Sequence, residues 1–130
     1  MTRQEAPFHY SFLNDDFSRK DETTAFKYID KIISGAKEND LYIIFDLHGV
    51  PGSQNGFEHS GVTNQKVEFW NNDTYIQAAI DCWRYISQHY STTRPDLSST
   101  IATYDILNEP TINFRGSTTR KSWDVFDKIY

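Results

Sequence analysis

The chain has 130 residues, of which 38% are hydrophobic and 15% aromatic, and its formal net charge is −5. This composition can form a core, and it excludes a disordered or low-complexity chain. The acidic balance and the scattered basic residues argue against a nucleic-acid partner. No apolar run approaches the roughly 20 residues that cross a bilayer, so no membrane span is expected. Cys82, the single cysteine, excludes an internal disulfide and is expected to be buried and unreactive.

The first 40 residues contain one clear helical pattern. Residues 1–20 show no clean period and are predicted to form a loop. From about 21 to 37, apolar residues recur at the spacing of one helical face. These residues are Phe26, Ile29, Ile32, Ile33 and Ala36. Either Asp21 or Thr23 could cap the start of this helix.

A strand and a long loop are predicted next. Residues 41–47 are short, β-branched and almost continuously apolar, which is typical of a strand buried on both faces of a parallel sheet. His48 follows at the end of this strand. Residues 49–66 are rich in Gly, Ser, Asn and Gln, and a connection of this length is often functional.

The second half of the chain repeats the helix–strand order. Asn72 or Asp73 can cap a helix, and a second buried strand is predicted over 101–107. The inward stripe of that helix is predicted to be Ile76, Ala79, Ile80, Trp83 and Ile86, and a third helical pattern contains Trp123, Phe126 and Ile129. Residues 21–130 therefore indicate helix, strand, helix, strand, helix in a single α/β unit with parallel strands.

Polar residues follow both predicted strands, at the ends where functional groups gather in parallel α/β folds. Glu109 is the main candidate, because a carboxyl partly removed from water can carry a proton near neutral pH, as glycoside hydrolysis requires. Pro110 is expected to hold Glu109 in an extended conformation that points over the sheet edge. From the Asn-Glu-Pro tripeptide alone, an exposed loop glutamate before a turn is an equally good interpretation.

The other candidates are weaker when taken alone. Asn108 has an amide that suits a sugar hydroxyl, although Asn is also common in turns. His48 could bind a hydroxyl or orient a carboxylate, and its surroundings match no metal-ligand spacing. Gln54 and Asn55 lie in the glycine-rich loop and could reach hydroxyl groups. No phosphate-binding loop and no serine-nucleophile motif occurs.

Two motifs resemble a known family. The segment Asp46-Leu-His-Gly-Val-Pro-Gly-Ser-Gln-Asn-Gly-Phe-Glu-His-Ser-Gly61 closely resembles the loop after the third strand in fungal exo-β-1,3-glucanases of glycoside hydrolase family 5. Ile106-Leu-Asn-Glu-Pro110 resembles the end of the fourth strand in the same family. The resemblance runs from roughly residue 23 to residue 110. It implies a partial (β/α)₈ TIM barrel, containing about the third and fourth βα units.

The resemblance also implies roles for particular residues. Glu109 matches the general acid/base, Asn108 the amide that binds the 2-hydroxyl of the reacting sugar, and His48 a histidine that lines the same subsite. Asn55 matches a sugar-contacting loop residue. No metal or organic cofactor is implied. Glu58-His59 stands where Asp-Asn is usual, and this departure leaves the glucanase specificity open.

Three hypotheses follow from these patterns. In the first, the chain is an incomplete catalytic-domain segment (1–130) of a retaining glycosidase that acts on β-1,3-glucan or a related β-glucoside. A full barrel needs about 250 residues, and the resemblance places a substrate-binding Arg before Met1 and the nucleophilic Glu beyond Tyr130. The second hypothesis is an inactive truncated chain, and the third is a small sugar-binding module. The oligomeric state stays open, as does the compartment: extracellular or cell wall by resemblance, or cytoplasmic.

Overall fold

The computed structural model describes residues 2–111 and 118–129. Three parallel strands, β1 (Thr2–His9), β2 (Leu41–Gly49) and β3 (Ile101–Asp105), form one sheet in the order β1-β2-β3. The helices are α1 (Glu22–Phe26), α2 (Ile29–Glu38), α3 (Asp73–Gln88), α4 (Pro95–Ser98) and α5 (Thr118–Ile129). The predicted alternation of helices with parallel strands is confirmed. Within the described ranges, no helix combines the length and the apolar character needed to cross a membrane.

Strand β1 corrects the prediction that residues 1–20 form a loop. Residues 2–8 pair with β2 in continuous register, from Thr2 beside Leu41 to Phe8 beside Leu47. Only Ala6 and Phe8 of β1 are buried. Because strand formation here depends on pairing with β2 and on just two core-facing side chains, the local sequence carries almost no strand pattern.

The first predicted helix is two helices, since α1 ends at Phe26 and α2 begins at Ile29. Asp21 is the N-cap of α1, because its carboxylate accepts a hydrogen bond from the backbone N–H of Thr24 at 3.1 Å. The buried stripe is narrower than predicted. It contains Phe26, Ile33 and Ala36, whereas Ile32 is exposed.

Helix α3 agrees closely with its sequence pattern. The Asn72 side chain caps it by accepting from the backbone N–H groups of Thr74 and Tyr75, at 3.0 and 3.3 Å. All five residues of the predicted stripe are buried. Cys82 is also fully buried, as predicted, and burial raises the pKa of its thiol to about 12. The thiol therefore stays protonated at neutral pH.

Strand β3 is less buried than predicted. Four of the five β3 residues are exposed, because β3 lies at an edge of the sheet and no described strand pairs with its outer side. A groove of about 660 Å³ follows this strand, and Trp83, Tyr104 and Ile129 are among its lining residues. The third helical pattern is helix α5, in which Trp123 is 60% exposed.

A partly buried ionic cluster joins α1 and α2 to the segment that follows α3. We call it the helix-side cluster: Glu22, Asp30, His89 and Arg94. His89 is 3% exposed, and its Nδ1 lies 2.7 Å from Glu22 Oε1 while its Nε2 lies 3.1 Å from both Asp30 oxygens. Arg94 Nη1 also contacts Asp30, at 3.2 Å. The His89 ring stacks on Phe26 with ring centroids 3.6 Å apart, so polar and apolar contacts fix it together.

Candidate active site

The carboxyl ends of β2 and β3 bring several polar side chains to one edge of the sheet. His48 is the second-last residue of β2, and Asn108 and Glu109 follow β3. The loop after β2 folds back to the same edge and carries Asn55 and His59. We call these five residues the strand-end cluster. The structure therefore brings together the four residues selected from the sequence, and it adds His59.

A chain of hydrogen bonds orients the first part of this cluster. The buried Asp46 places Oδ2 2.6 Å from His48 Nδ1. Because a carboxylate only accepts hydrogen bonds, His48 Nδ1 carries a proton. Asn108 Nδ2 lies 3.4 Å from Nε2 of the same ring. The amide oxygen of Asn108 is thereby left on the side away from the imidazole, where it can accept a hydrogen bond from a hydroxyl group.

The Asp46 carboxylate, which begins this series of hydrogen bonds, has one oxygen without a hydrogen-bond partner among the described residues. Asp46 Oδ1 is buried and has no hydrogen-bond partner among the described residues. Buried carboxylate oxygens are normally paired, so this atom carries a desolvation cost that the short bond to His48 offsets. The sequence analysis treated Asp46 only as part of a family motif, and the structure shows it to be the group that orients His48.

Gln54 links the ends of β2 and β3. Its Nε2 donates to the backbone carbonyls of His48 and Asn108, at 3.0 and 2.9 Å, and its Oε1 accepts from Val50 N at 3.4 Å. The side chain is fully buried, so the prediction that it reaches hydroxyl groups is wrong. Its backbone carbonyl in turn accepts from Trp70 Nε1 at 3.0 Å. Gln54 therefore sets the separation between the two strand ends.

Asn55 has all of its side-chain polar atoms engaged within the protein. Its Oδ1 accepts from Phe57 N at 3.0 Å, and its Nδ2 donates to the Glu109 carbonyl at 3.1 Å. The same Nδ2 lies 3.2 Å from His59 Nε2. The sugar contact expected of Asn55 stays a prediction. In this structure the amide fixes the backbone that carries Glu109.

Glu109 differs from its prediction in two respects. Its side chain is 63% exposed rather than partly buried. Its φ is +43°, in the left-handed region rather than extended. This conformation costs on the order of 1–3 kcal/mol for a non-glycine residue. The Asn55 bond to its carbonyl and the bond from Thr111 N to the Gln54 carbonyl, at 3.3 Å, hold the backbone there.

His59 is the residue of the cluster that the sequence analysis did not select. Its Nε2 lies 3.3 Å from Glu109 Oε2, and its ring centroid lies 5.3 Å from that of His48. It returns to the strand ends because the buried hydroxyls of Ser53 and Ser60 hydrogen-bond to each other and close the loop. Two serines seven residues apart in a glycine-rich loop were a weak signal for this closure.

His9 is a second missed residue, at the end of β1. Its ring lies against Gly49 at the end of β2 and against Gly61 in the loop, so that a Cβ placed on either glycine would lie 2.8 or 3.1 Å, respectively, from His9 Nδ1. The same Cβ on Gly49 would lie 2.8 Å from the Ser60 carbonyl oxygen. All three strand ends therefore contribute an imidazole or a carboxyl to one edge of the sheet. Because β1 was not predicted from the sequence, His9 was not selected as one of these groups.

The arrangement suits proton transfer and hydroxyl binding. Within residues 2–111 and the described part of α5, no group of three or more His, Cys, Asp or Glu side chains is placed to hold a metal ion. An exposed carboxyl beside an imidazole can exchange a proton with a bound molecule. The adjacent amides and imidazoles supply hydrogen-bond donors and acceptors for hydroxyl groups.

Comparison with known proteins identifies the family. The sequence model of the cellulase family, glycosyl hydrolase family 5, matches residues 7–129. The chain belongs to glycosyl hydrolase family 5. The family suggested by the two sequence motifs is thereby confirmed, and glycosidase is the class of enzyme to which the chain is assigned by family.

Individual relatives agree with this assignment. A beta-xylosidase from Phanerodontia chrysosporium is 31% identical over 125 residues, which are 95% of this chain and 24% of that protein. Glucan 1,3-beta-glucosidase 2 from Wickerhamomyces anomalus is 38% identical over 97 residues, 75% of this chain and 21% of that protein. The chain thus spans a quarter or less of these two relatives.

The fold also matches solved structures. The crystal structure of rutinosidase from Aspergillus niger superposes with a TM-score of 0.70 at 18% identity, covering 99% of this chain and 39% of the rutinosidase chain. At this identity the likeness concerns the fold alone. It supports the view that the three parallel strands and their helices are a part of a larger α/β fold.

Proposed function

We propose that this segment belongs to a retaining β-glycoside hydrolase that releases glucose from β-1,3-glucan, with Glu109 as the general acid/base. The three strands are then consecutive strands of a (β/α)₈ barrel, and β2 and β3 are about the third and fourth. The observation that carries the proposal is the meeting of Glu109 with His48, His59 and Asn108 beyond the carboxyl ends of parallel strands, where barrel enzymes hold their active sites.

The reaction requires a second carboxylate about 5 Å from the first. Glu109 is the one carboxyl of the chain that matches a catalytic position of the two family motifs. The second carboxylate is therefore expected from another part of the protein. It attacks the anomeric carbon and the glycosidic C–O bond breaks, while the Glu109 proton passes to the leaving oxygen. Water then attacks the glycosyl ester, Glu109 takes the water's proton, and the nucleophilic carboxylate is released.

Asn108 and His48 bind the substrate in this proposal. The Asp46 bond to His48 Nδ1 holds the imidazole in one orientation, and the imidazole in turn orients the Asn108 amide. Asn108 Oδ1 is then presented as an acceptor for the 2-hydroxyl of the reacting sugar. Such a hydrogen bond accelerates the reaction if it becomes stronger as positive charge develops at the anomeric centre, because it then stabilises the transition state more than the bound substrate.

The decisive experiment replaces the acid in the whole protein. Glu109→Gln keeps the shape of the side chain and removes the proton, so kcat for a β-1,3-gluco-oligosaccharide should fall by about 10²- to 10⁴-fold. The loss should be much smaller for an aryl β-glucoside whose leaving group departs without protonation. Glu58→Gln is the matched control, since Glu58 is an exposed carboxyl in the loop that carries His59. Near-normal oligosaccharide hydrolysis by Glu109→Gln would remove Glu109 from the acid role.

The substrate is tested by direct competition. The relatives named above include both a beta-xylosidase and a glucan 1,3-beta-glucosidase, so kcat/KM should be compared for matched β-glucosides and β-xylosides. We expect the β-glucoside to be preferred, and a higher kcat/KM for the β-xyloside would contradict the proposed substrate.

The two other hypotheses are separated by residues 1–130 expressed alone. We expect this chain to show no turnover, because Glu109 is its one carboxyl that matches a catalytic position of the family motifs and a retaining enzyme needs two. Turnover by the isolated chain would contradict the requirement for a second carboxylate from elsewhere. Calorimetric binding of β-1,3-gluco-oligosaccharides together with a cooperative melt, but without turnover by the whole protein, would favour the sugar-binding module.

A further inference from the structure

Gln54 and Asn55 are consecutive residues of the loop after β2, and they bond to the backbone on both sides of Glu109. Gln54 Nε2 donates to the Asn108 carbonyl at 2.9 Å. The Gln54 carbonyl accepts from the backbone N–H and the hydroxyl of Thr111, at 3.3 and 3.2 Å. Between these two contacts, Asn55 Nδ2 donates to the carbonyl of Glu109 itself, at 3.1 Å. Two adjacent loop residues therefore hold the short segment that carries the proposed acid.

The Glu109 backbone has a conformation that its own sequence disfavours. Its φ is +43°, in a region that non-glycine residues rarely adopt, and a residue before proline is biased toward extended backbone. Rotation about the N–Cα bond also sets the direction in which the side chain leaves the backbone. In an extended conformation, the Glu109 carboxyl would therefore leave the end of β3 in a different direction. The bond from Asn55 to the Glu109 carbonyl opposes that change.

Asn55 is placed to hold this backbone and not to bind a ligand. Only 6% of its surface is exposed. Its Oδ1 accepts from Phe57 N at 3.0 Å, and its Nδ2 donates to the Glu109 carbonyl. A bound sugar could reach this amide only after one of these bonds had broken, and a buried polar group that loses its partner carries a desolvation cost.

We infer that Asn55 is a positioning residue, which directs the Glu109 carboxyl toward the glycosidic oxygen, and that it makes no contact with the sugar. The inference rests on the proposed function and deepens it by naming the group that aligns the acid. In the reaction, the proton passes from Glu109 to the leaving oxygen as the glycosidic C–O bond breaks and the second carboxylate bonds to the anomeric carbon. Misplacement of the proton donor by about 1 Å is enough to slow such a step by about 100-fold.

A buried pair of serines supports Asn55. Ser53 Oγ accepts from the backbone N–H groups of Asn55 and Gly56, at 3.3 and 2.7 Å. Ser60 Oγ donates to the Phe57 carbonyl at 2.7 Å. Because the Ser60 hydrogen is engaged there, the bond between the two hydroxyls runs from Ser53 to Ser60. Asn55 therefore acts from a turn that is closed by its own hydrogen bonds.

The test is the leaving-group dependence of kcat/KM in the whole protein. For a retaining enzyme this parameter covers the steps up to the first cleavage of the glycosidic bond, in which Glu109 acts as the acid. The substrates are aryl β-glucosides whose phenol leaving groups differ in acidity and little in size. Every substrate has the same glucosyl group, so a lost sugar contact affects all of them equally, whereas a misplaced acid affects the least acidic phenols most.

Asn55→Ser is the main variant. A serine hydroxyl can still accept from Phe57 N, as in turns of this type, but it is too short to reach the Glu109 carbonyl. For the least acidic phenol, kcat/KM should fall by about 10- to 100-fold. For the most acidic phenol it should stay within about threefold of the wild type, since that group departs without a proton. Asn64→Ser is the matched control, because Asn64 is an exposed asparagine of the same loop, and its dependence should equal that of the wild type.

Asn55→Asp is a second variant, which keeps the size of the side chain and the acceptor for Phe57 N. It lacks a donor for the Glu109 carbonyl and should steepen the dependence as well. A nearby carboxylate disfavours the ionised form of Glu109, so this steepening could not come from an acid that has lost its proton. If one variant does not fold, the other decides. An equal fall of kcat/KM for all phenols would overturn the inference, as would a dependence identical to that of the wild type.

A double-mutant cycle separates the two roles in a different way. When Glu109→Gln has removed the acid, Asn55→Ser should lower kcat/KM for the least acidic phenol by less than about threefold further. Losses that multiply would overturn the inference. If Glu109→Gln retains wild-type hydrolysis, the proposed function itself fails. If only the Asn55 variants differ from expectation, the acid role of Glu109 stands and the positioning role of Asn55 does not.

A crystal structure of the whole protein with an unreactive glucoside analogue bound is a readout independent of turnover. It should show Asn55 Nδ2 bonded to the Glu109 carbonyl, and no sugar hydroxyl within hydrogen-bond distance of the Asn55 amide. A direct bond between this amide and the sugar would contradict the inference.

Discussion

The molecule contains two regions in which a histidine contacts a carboxylate, and they differ in the partners and in the solvent exposure of the imidazole. In the helix-side cluster, His89 has both ring nitrogens against carboxylates and is 3% exposed. In the strand-end cluster, His48 has one nitrogen on Asp46 and the other on an amide, and its side chain is 30% exposed. A histidine–carboxylate pair is therefore not by itself a sign of chemistry. Its position at the carboxyl ends of parallel strands, open to solvent, separates the second region from the first.

The strongest way to test this contrast is to remove the buried imidazole. His89→Leu leaves Glu22 and the partly buried Asp30 without their shared partner, and this loss should lower the free energy of unfolding by about 1–3 kcal/mol. Urea denaturation of the whole protein measures this loss. Activity per folded molecule should stay unchanged, because the cluster lies away from the strand ends.

His48→Leu is the matched variant for that experiment. It should lower kcat/KM by at least tenfold, because Asn108 loses the group that orients its amide, with a smaller effect on unfolding than His89→Leu. If the two variants changed stability and activity in the same ratio, the distinction between the regions would be lost.

A second variant affects both properties at once. Gln54→Ala removes the donor shared by the His48 and Asn108 carbonyls, and it should lower the free energy of unfolding by about 2 kcal/mol because buried groups lose their partners. Activity should fall as well, since the two strand ends are no longer held together. Gln65→Ala is the control, since Gln65 is an exposed glutamine of the same loop. Equal effects of the two alanine variants would contradict the linking role of Gln54.

The smallest expected effect concerns acid. Hydrogen bonds from His89, and then from Thr93, lower the pKa of Glu22 below its ordinary value of 4.5. A carboxyl whose folded pKa is depressed contributes stability that is present above pH 4.5 and is lost as the pH falls through the lower folded value. Glu22→Gln should therefore flatten the fall of the unfolding free energy below about pH 4.5. A fall as steep as that of the wild type in urea titrations would show that Glu22 does not contribute.

Much of the fold follows from local pattern, and the exceptions have physical causes. Strand β2 was predictable because its residues are almost continuously apolar. Helix α3 was predictable because Asn72 can cap its start and its apolar residues recur at helical spacing. Strand β1 was not, because pairing with β2 rather than its own composition makes it a strand. Strand β3 has the sequence of a buried strand, but it lies at an edge of the described sheet, and most of it is exposed.

The candidate site also combines features that the sequence predicts with features that depend on tertiary contacts. The strand-end position of Glu109, Asn108 and His48 followed from the order of elements. The direction of each amide did not, because composition cannot tell that Gln54 turns inward. The left-handed φ of Glu109 also depends on a tertiary contact, the Asn55 bond to its carbonyl. Local preference before Pro110 favours an extended conformation, and the contact outweighs that preference.

The inward direction of Gln54 has a further consequence for how this site could diversify. In the long loop after β2, the buried amide of Gln54 bonds to both strand ends, while Phe57 and His59 lie exposed on the outer rim of the loop. Substitutions on that rim can change which sugar or leaving group is accommodated without altering the spacing beneath it. Selectivity and geometry are thus encoded by different residues of a single connection.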